Sequence, residues 1–336
     1  MGIKRDRYCI MQAIAPGVGE NESNTAALSR KRELRMVASM QAEMQPVTFR
    51  FKLGAFEVTN ILDCKIIREG LSESYNSGAE AEAVKALAGA NRIDANRYEH
   101  PFIPTLVNTG KKLVLFDTGF GALRLEHEQL RGRVPDGMLV ERMRQTGYKP
   151  EDVDVVVITH GHPDHIGGLM AGGKPVFSNA RYVFGAAEFD FWKRGENVRD
   201  MRKFNRELFM KLAAPLADRA TFINPGDEAV PGIRAIDATG HSPGMMAYLI
   251  ESEEKRLLNW ADTCGHYVIA IQRPDLLHDV DDDQQKAVAA RQRILDMAAT
   301  DQLAVVGFHM PFPGIGYVER TQTGYRWMPH SYQMNL

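Results

Sequence analysis

The chain contains 336 residues, of which 44% are hydrophobic and 25% are charged, and its formal net charge is -2 at pH 7. This composition is typical of folded globular proteins and argues against a disordered or fibrous chain. Because 41 Lys and Arg residues are balanced by 43 Asp and Glu residues, the sequence lacks the basic excess of a nucleic-acid-binding protein.

Residues 1–46 are mostly polar, and we predict that they form a disordered N-terminal extension, because they bury too little apolar surface to offset the entropy cost of ordering. Polar residues and glycines interrupt this segment before the apolar run of a secretory signal develops. Besides Met1, three other methionines could serve as the first residue of the protein: Met36, Met40 and Met44.

The cysteines and the longest apolar runs indicate where in the cell the protein is expected. Cys9, Cys64 and Cys264 are too few and too scattered for a disulfide framework, and no CxxC pair occurs. No run reaches the roughly 18 to 20 apolar residues that a membrane helix needs. We therefore expect a cytoplasmic protein without a membrane or nucleic-acid partner.

Residues 47–336 are predicted to form a single α/β domain, because strand and helix patterns alternate without a linker rich in Pro or Ser. Alternating apolar and polar residues indicate a hairpin at 47–53 and 56–61. An Asn/Gly-containing turn at 108–110 indicates a second hairpin. Residues 71–100, rich in Ala, Glu, Ser and Asn, are interpreted as a loop or a loose helix.

The remaining pattern alternates strands with longer elements. A continuous apolar run at 153–158 is typical of a strand buried on both faces. Helices are predicted at 138–147 and, with an amphipathic pattern, at 283–299. Further strands are predicted at 180–184, 234–238, 246–250, 257–260 and 303–308.

A dense polar motif directly follows the buried strand and contains His160, His162, Asp164 and His165. In an extended segment, residues two positions apart point the same way, so His160 and His162 can converge on one ion. Pro163 can open a helix at its first position, since it lacks an amide hydrogen. The chain then turns, and Asp164 and His165 can face a second ion beside the first.

The donor atoms of this motif limit the choice of metal. Imidazole and carboxylate suit zinc and similar divalent ions, whereas calcium and magnesium favour oxygen ligands alone. Zinc, manganese, iron and cobalt therefore all remain candidates.

The motif resembles the metallo-β-lactamase superfamily, whose signature HxHxDH is matched in full. Three later stretches resemble the other metal motifs of that family and follow in the family's order: 239–244, 260–263 and 306–309. The resemblance extends over roughly residues 47–330. It implies an α/β fold, a metallo-β-lactamase-like four-layer αββα sandwich, and a metal-dependent hydrolase.

The resemblance also implies a binuclear metal centre, with zinc as the favoured metal. One metal would be bound by His160, His162 and His241, the other by Asp164, His165 and His309, and Asp262 would bridge the two. Asp164 and Asp262 are thereby the expected catalytic carboxylates. Asp117 matches a position at which a carboxylate hydrogen-bonds a ligand histidine and fixes its tautomer.

Within the superfamily, the sequence resembles the branch that contains methyl parathion hydrolase and N-acyl homoserine lactonase-like enzymes, in the stretches 107–119, 162–170, 188–192 and 312–316. This implies that a hydroxide shared by two metals opens lactones, among them the N-acyl homoserine lactones of quorum quenching, or cleaves related esters. An organophosphate triester hydrolase is the alternative. An iron-dependent oxidoreductase on the same scaffold is a hypothesis from another class.

The sequence departs from this branch beside the bridging aspartate. Lactonases of this type often carry a tyrosine three residues after it, whereas this chain has Gly265, and His266 and Tyr267 are the nearby candidates to replace it. Phe191 and Trp192 are candidates for an apolar wall that contacts an acyl or aryl group. The expected partner is a small ester or lactone, and the resemblance makes a homodimer plausible.

Overall fold

The computed structural model describes residues 44–130, 134–330 and 334–336, except for the side chains of Ser77 and Gln129. The extension predicted at residues 1–46 therefore lies, up to residue 43, outside the described residues. The residues Pro46–Leu336 pack together as one unit.

The strands lie along the whole described part of the chain. Numbered in chain order, they are β1 (Thr48–Leu53), β2 (Phe56–Ile61), β3 (Cys64–Glu69), β4 (Arg97–Phe102), β5 (Thr105–Asn108), β6 (Leu113–Phe116), β7 (Val155–Ile158), β8 (Met170–Ala171), β9 (Lys174–Pro175), β10 (Arg181–Gly185), β11 (Ala220–Ile223), β12 (Glu228–Val230), β13 (Ile233–Asp237), β14 (Met246–Ser252), β15 (Lys255–Asn259), β16 (Ala304–Val306), β17 (Ile315–Arg320) and β18 (Tyr325–Pro329).

The helices have ten residues or fewer, apart from one near the C-terminus. They are α1 (Ala81–Ala90), α2 (Leu123–Glu126), α3 (Leu139–Gln145), α4 (Pro163–Ile166), α5 (Ala186–Arg194), α6 (Lys203–Leu212), α7 (Ile269–Gln272) and α8 (Gln284–Thr300). Short 3-10 segments occur at Asn76–Gly78, Glu128–Leu130, Pro150–Asp152, Asp200–Arg202 and Ala214–Arg219. Among the described residues, no helix combines the length and the apolar character needed to cross a membrane.

Two seven-stranded sheets form the centre of the fold. The first has the order β1-β2-β5-β6-β7-β10-β11 and the second the order β12-β13-β14-β15-β16-β17-β18. One apolar core lies between them and joins side chains of both sheets, such as Val114 and Tyr248. A second core packs α3, α5 and α6 on the outer face of the first sheet, and a third packs α8 on the outer face of the second. The predicted four-layer αββα arrangement is thus confirmed.

The central strand β7 shows why a continuous apolar run folds this way. Side chains alternate between the two faces of a strand. Val155 and Val157 accordingly contribute to the core between the sheets, while Val156 and Ile158 contribute to the core beneath the helices. All four residues are buried, as the sequence predicts.

The hairpins and strands predicted from alternation are present, but the segment 71–100 matches its predicted loop or loose helix only in part. It contains the ten-residue helix α1 and the first residues of β4. β4 pairs antiparallel with β3, so that Cys64 lies opposite Phe102. The first three residues of β4, Arg97, Tyr98 and Glu99, are not buried, so the segment lacks the apolar run by which a strand is recognised.

Parallel pairing brings together the strand ends that precede the candidate site residues. β6 pairs parallel with β7 in the first sheet, and β15 pairs parallel with β16 in the second. The residues that follow these four strands include Asp117, His160, Asp262 and His309. Two of the chain reversals need a left-handed backbone, with φ of 59° at Asp117 and 50° at Ala261. Strained backbone of this kind clusters at functional sites.

Candidate metal centre

The loop after β7 has the local structure that its sequence predicts. His162 has an extended backbone and caps the short helix α4, which begins at Pro163. The side chains of His160, His162 and His165 are buried, each at most 3% exposed. The loop therefore presents its imidazoles inward.

The first group of converging side chains consists of three histidines. Nε2 of His160 lies 3.0 Å from Nδ1 of His162, and that atom lies 3.0 Å from Nε2 of His241. His241 comes from the loop after β13, in the second sheet. The three residues predicted to share one metal are thus brought together across the two sheets.

The second group consists of Asp164, His165, Asp262 and His309, and its ligand atoms all lie within 4.8 Å of one another. Oδ2 of Asp164 lies 3.5 Å from Nε2 of both His165 and His309. Nε2 of His309 lies 2.9 Å from Oδ2 of Asp262. This is the set predicted for the other metal, together with the predicted bridging carboxylate.

Asp262 connects the two groups. Its Oδ2 atom lies 3.3 Å from Nε2 of His241 and 3.9 Å from Nε2 of His160, both in the first group. Its Oδ1 atom lies 3.3 Å from Nε2 of His165, in the second group. A single carboxylate therefore reaches both candidate ligand sets.

The donor atoms fit a pair of divalent cations. Nε2 of His165 and Oδ1 of Asp262 are buried without a hydrogen-bond partner among the described residues. Nitrogen and carboxylate oxygen donors are those that zinc and related ions prefer. The two groups could therefore hold two metal ions.

Hydrogen bonds on the far side of the rings fix which nitrogen faces inward. The Nδ1 atoms of His165, His241 and His309 lie 2.9 Å from oxygens of Asp117, Asp281 and Pro101, respectively. Because carboxylate and carbonyl oxygens accept hydrogen bonds, each Nδ1 carries a proton and each Nε2 is the nitrogen directed at the other candidate ligands. Asp117 has the supporting position predicted for it, and it also accepts hydrogen bonds from Thr159.

Electrostatics differ between the two ends of the centre. Burial lowers the pKa of His160 and His162 well below its usual value, so both rings are neutral and can bind a cation. Burial also lowers the pKa of His165, but the carboxylates of Asp262, Asp117 and Asp164 outweigh it and hold that pKa well above its usual value. For Asp262, burial raises the pKa, but His309 and His165 outweigh it and hold the pKa well below its usual range.

Two further carboxylates lie beside the first group of histidines, and neither is predicted from the sequence. Asp281 accepts from His241 and from the buried guanidinium of Arg291, whose Nη2 lies 3.0 Å from Oδ2. Oδ2 of Asp282 lies 3.7 Å from Nε2 of His162. The run Asp281–Asp283, just before the amphipathic helix, is the signal from which these residues could have been suspected.

Glu188 joins the loops that carry the first group. It is 1% exposed and accepts four hydrogen bonds. The donors are N of Gly161 at 2.7 Å, Nε1 of Trp192 at 2.6 Å and Oγ of Ser242 at 2.5 Å, all to Oε1, and N of Gly244 at 2.8 Å to Oε2. Burial raises the pKa of Glu188, and these hydrogen bonds oppose that rise.

A cavity of about 300 Å³ opens onto the centre. His162, Asp164, His241, Asp262 and His309 line it, so both candidate ligand groups face the same space. Its other walls combine apolar and basic side chains: Ile66, Arg68, Phe102, Phe120, Arg202, Phe204 and Val280.

The four residues predicted to contact substrate do not line this cavity. Trp192 is fully buried in the core beneath the helices and donates to Glu188, and Phe191 packs against the same core. Nδ1 of His266 accepts from the amides of Val268 and Ile269, and its Nε2 is buried. Tyr267 packs against apolar clusters. The structure instead brings two unpredicted histidines, His100 and His278, to the cavity wall.

The family model of the metallo-beta-lactamase superfamily matches residues 104–287, more than half of the chain. The chain belongs to this superfamily. The match includes the HxHxDH motif, His241 and Asp262, whereas His309 lies beyond it.

Most of the sequence relatives are N-acyl homoserine lactonases. An N-acyl homoserine lactonase of Bacillus cereus is 29% identical over 165 residues, which are 46% of this chain and 59% of the relative. The N-acyl homoserine lactonase AiiB of Agrobacterium fabrum is 28% identical over 156 residues, or 42% of this chain and 52% of the relative. The matches thus span between half and three fifths of these relatives. They support the lactonase-like branch predicted from the sequence.

Solved structures match over more of the chain. AidC, a dizinc quorum-quenching lactonase in complex with a product N-hexanoyl-L-homoserine, has a TM-score of 0.77 at 25% identity, covering 85% of this chain and 98% of AidC. The hydrolase AbOPH, of the beta-lactamase superfamily, has a TM-score of 0.77 at 23% identity, covering 87% of this chain and 100% of AbOPH. The second likeness concerns the fold alone.

Proposed function

We propose that this protein is a dimetal hydrolase that opens lactones, in particular N-acyl homoserine lactones, with zinc as the favoured metal. The observation that carries the proposal is the position of Asp262, whose carboxylate lies within 3.9 Å of ligand atoms in both histidine-containing groups. A carboxylate between two such groups is the arrangement expected of a binuclear centre. The lactonase relatives and the dizinc lactonase AidC support the choice of substrate.

The proposal assigns the metal-binding side chains as follows. His160, His162 and His241 would hold one cation, Asp164, His165 and His309 would hold the other, and Asp262 would be shared. Two cations held in this way supply a water molecule of lowered pKa and polarise the carbonyl oxygen of the substrate.

Ring opening also requires a proton transfer, which a side chain of this protein can perform. Hydrolysis forms a bond between the water oxygen and the carbonyl carbon and then breaks the bond between that carbon and the ring oxygen, which must gain a proton. Asp164 lines the cavity, and its side chain is 18% exposed, so the carboxylate oxygen that does not bind the metal can accept the proton of the water and pass it to the departing oxygen.

The cavity wall suits an acyl substrate. Ile66, Phe102, Phe120 and Phe204 give it an apolar surface against which a hydrocarbon chain can pack. The cavity volume of about 300 Å³ lies at the lower end for small-molecule sites. We therefore expect turnover to depend on acyl length.

The test combines metal analysis with turnover. Zinc- or manganese-loaded protein is assayed on N-acyl homoserine lactones of increasing acyl length, with a methyl phosphotriester in the same plate, and bound metal is measured by mass spectrometry. The variant Asp262→Asn should lose both bound metal and turnover. Asp218→Asn, which makes the same change at an exposed aspartate, should lose neither.

The outcomes separate the hypotheses. Two bound metals with a preference for lactones would support the proposal. A preference for the phosphotriester would favour the organophosphate hydrolase instead, and bound iron with oxygen consumption would favour the oxidoreductase. Full turnover by Asp262→Asn would contradict the bridging role.

A further inference from the structure

The cavity wall contains a glycine, at which no side chain separates the backbone from the cavity. Gly265 lies three positions after Asp262 and lines the cavity. A Cβ atom at this position would lie 3.2 Å from Cε1 and 3.5 Å from Nδ1 of His278. The imidazole of His278, which comes from a later part of the chain, therefore lies against the space that a side chain at position 265 would enter.

The ring of His278 is held in place by its neighbours. It stacks on the ring of Tyr75, with the centroids 4.5 Å apart and the planes inclined by 9°. The backbone carbonyl oxygen of His278 accepts hydrogen bonds from N of Asp281 at 3.0 Å and from Nε2 of Gln284 at 3.1 Å. The stacking contact uses the face of the ring and leaves its edge, where both nitrogens lie, for other partners.

The ring of His278 lines the cavity, and its Cε1 and Nδ1 atoms face position 265 on the cavity wall. Burial lowers the pKa of His278 to about 3, so the ring is neutral and carries one N–H donor at neutral pH. His266, by contrast, does not line the cavity: its Nδ1 accepts from the amides of Val268 and Ile269, and its Nε2 is buried.

We propose that His278 is a catalytic residue whose N–H donates a hydrogen bond to an oxygen of the substrate in this cavity. The inference rests on the proposed lactonase function. When water adds to a lactone carbonyl, negative charge develops on its oxygen, and a fixed donor in a site with little water stabilises that charge. The ring of His278 is held by its stack on Tyr75, and it shares the cavity with Asp262 and with members of both ligand groups.

Two substitutions at this position separate hydrogen bonding from packing. His278→Phe retains a ring that can stack on Tyr75 but loses the donor, so kcat for the lactone should fall by about 100-fold, as when other donors to a developing charge are removed. His278→Gln has an N–H of its own and should recover a substantial part of kcat. Bound metal and the unfolding midpoint should remain those of the unmodified protein.

A control and a second readout accompany these variants. His330→Phe makes the same change at a histidine that does not line the cavity, and it should leave kcat unchanged. Independently of turnover, nitrogen-15 NMR of the metal-loaded protein should reveal a shift of the His278 ring resonances when N-hexanoyl-L-homoserine is added. The resonances of His278 are assigned by their loss in either variant.

The outcomes distinguish this inference from the proposed function. Lactone turnover that His278→Phe leaves unchanged, or that His278→Gln fails to recover, would overturn the role of His278 while the lactonase stands. Absence of lactone turnover in the unmodified protein, with a clear shift of the His278 resonances, would refute the lactonase function and support substrate-oxygen binding by His278. If the unmodified protein showed neither lactone turnover nor a shift of the His278 resonances, the lactonase function and the role of His278 would both be overturned.

Discussion

Glu188 offers a quantitative test of how the metal-binding loops are held. The substitution Glu188→Gln preserves the shape of the side chain and replaces one carboxylate oxygen with an amide. The oxygen of glutamine can still accept from Gly161, Trp192 and Ser242, whose donors meet at Oε1. Its NH₂ group then faces N of Gly244, which lies 2.8 Å from Oε2. Two donors would oppose each other in a buried site.

The expected loss follows from this geometry. One hydrogen bond to a charged acceptor disappears and one buried N–H is left unpaired, so the free energy of unfolding should fall by about 2 to 4 kcal/mol. In Glu188→Ala all four donors lose their acceptor, and the loss should be larger, at least about 4 kcal/mol. Gly161 lies between two candidate ligands, so metal affinity should fall by roughly 10- to 100-fold, as it does when supporting groups are removed.

The measurement is urea unfolding of metal-loaded protein, together with chelator competition for the bound metal. Glu207→Gln makes the same change at an exposed position of α6 and should leave both quantities within about 0.5 kcal/mol of the unmodified protein. If Glu188→Gln behaved like this control in both assays, the buried carboxylate would not organise the loops and our reasoning would be refuted.

Two further substitutions test the supporting residues. Asp281→Asn should reduce metal affinity and lower the free energy of unfolding by about 3 to 5 kcal/mol, because the buried Arg291 loses its charged partner; stability equal to that of Asp218→Asn would contradict this. For His266, burial lowers the pKa from 6.5 to about 4, so the unfolded chain binds a proton on acidification at pH values where the folded chain does not. Between pH 7 and about pH 4.5 this should lower the free energy of unfolding of the unmodified protein by about 2 to 3 kcal/mol relative to that of His266→Gln. Urea unfolding of both proteins at both pH values measures the effect. If the difference between the two proteins were the same at both pH values, the prediction would be refuted.

Local patterns were sufficient to predict ten of the fourteen strands in the two large sheets and the helix α8. The run Val155–Ile158 and the hairpin around 108–110 have their signal in adjacent residues, and Asp283 caps α8 by accepting from N of Lys286. β3 and β4 lack such a signal. Their pairing depends on residues about thirty positions apart, and the exposed polar residues that begin β4 are compatible with a loop.

The candidate ligands were predictable because each follows a strand in a short motif, and parallel pairing brings those strand ends together. Their partners were not. Asp281 and Arg291 reach the centre from the loop before α8 and from α8 itself, and Glu188 reaches it from α5. Only the packing of helices on the outer faces of the sheets brings these charged side chains inward, and no periodicity in the sequence records that.

The cavity wall illustrates the same limit. The aromatic residues at 191 and 192 indicate an apolar wall when the sequence is read locally, yet the indole N–H of Trp192 is needed by Glu188 and its ring fills the core. The rings that do line the cavity, Phe102, Phe120 and Phe204, come from separate elements. Likewise, a search confined to the residues beside Asp262 finds His266 and Tyr267, which do not line the cavity, whereas the fold brings His278 to the cavity wall. Because the ligand motifs are local and the substrate contacts are not, the sequence identifies the chemistry of this site more readily than its specificity.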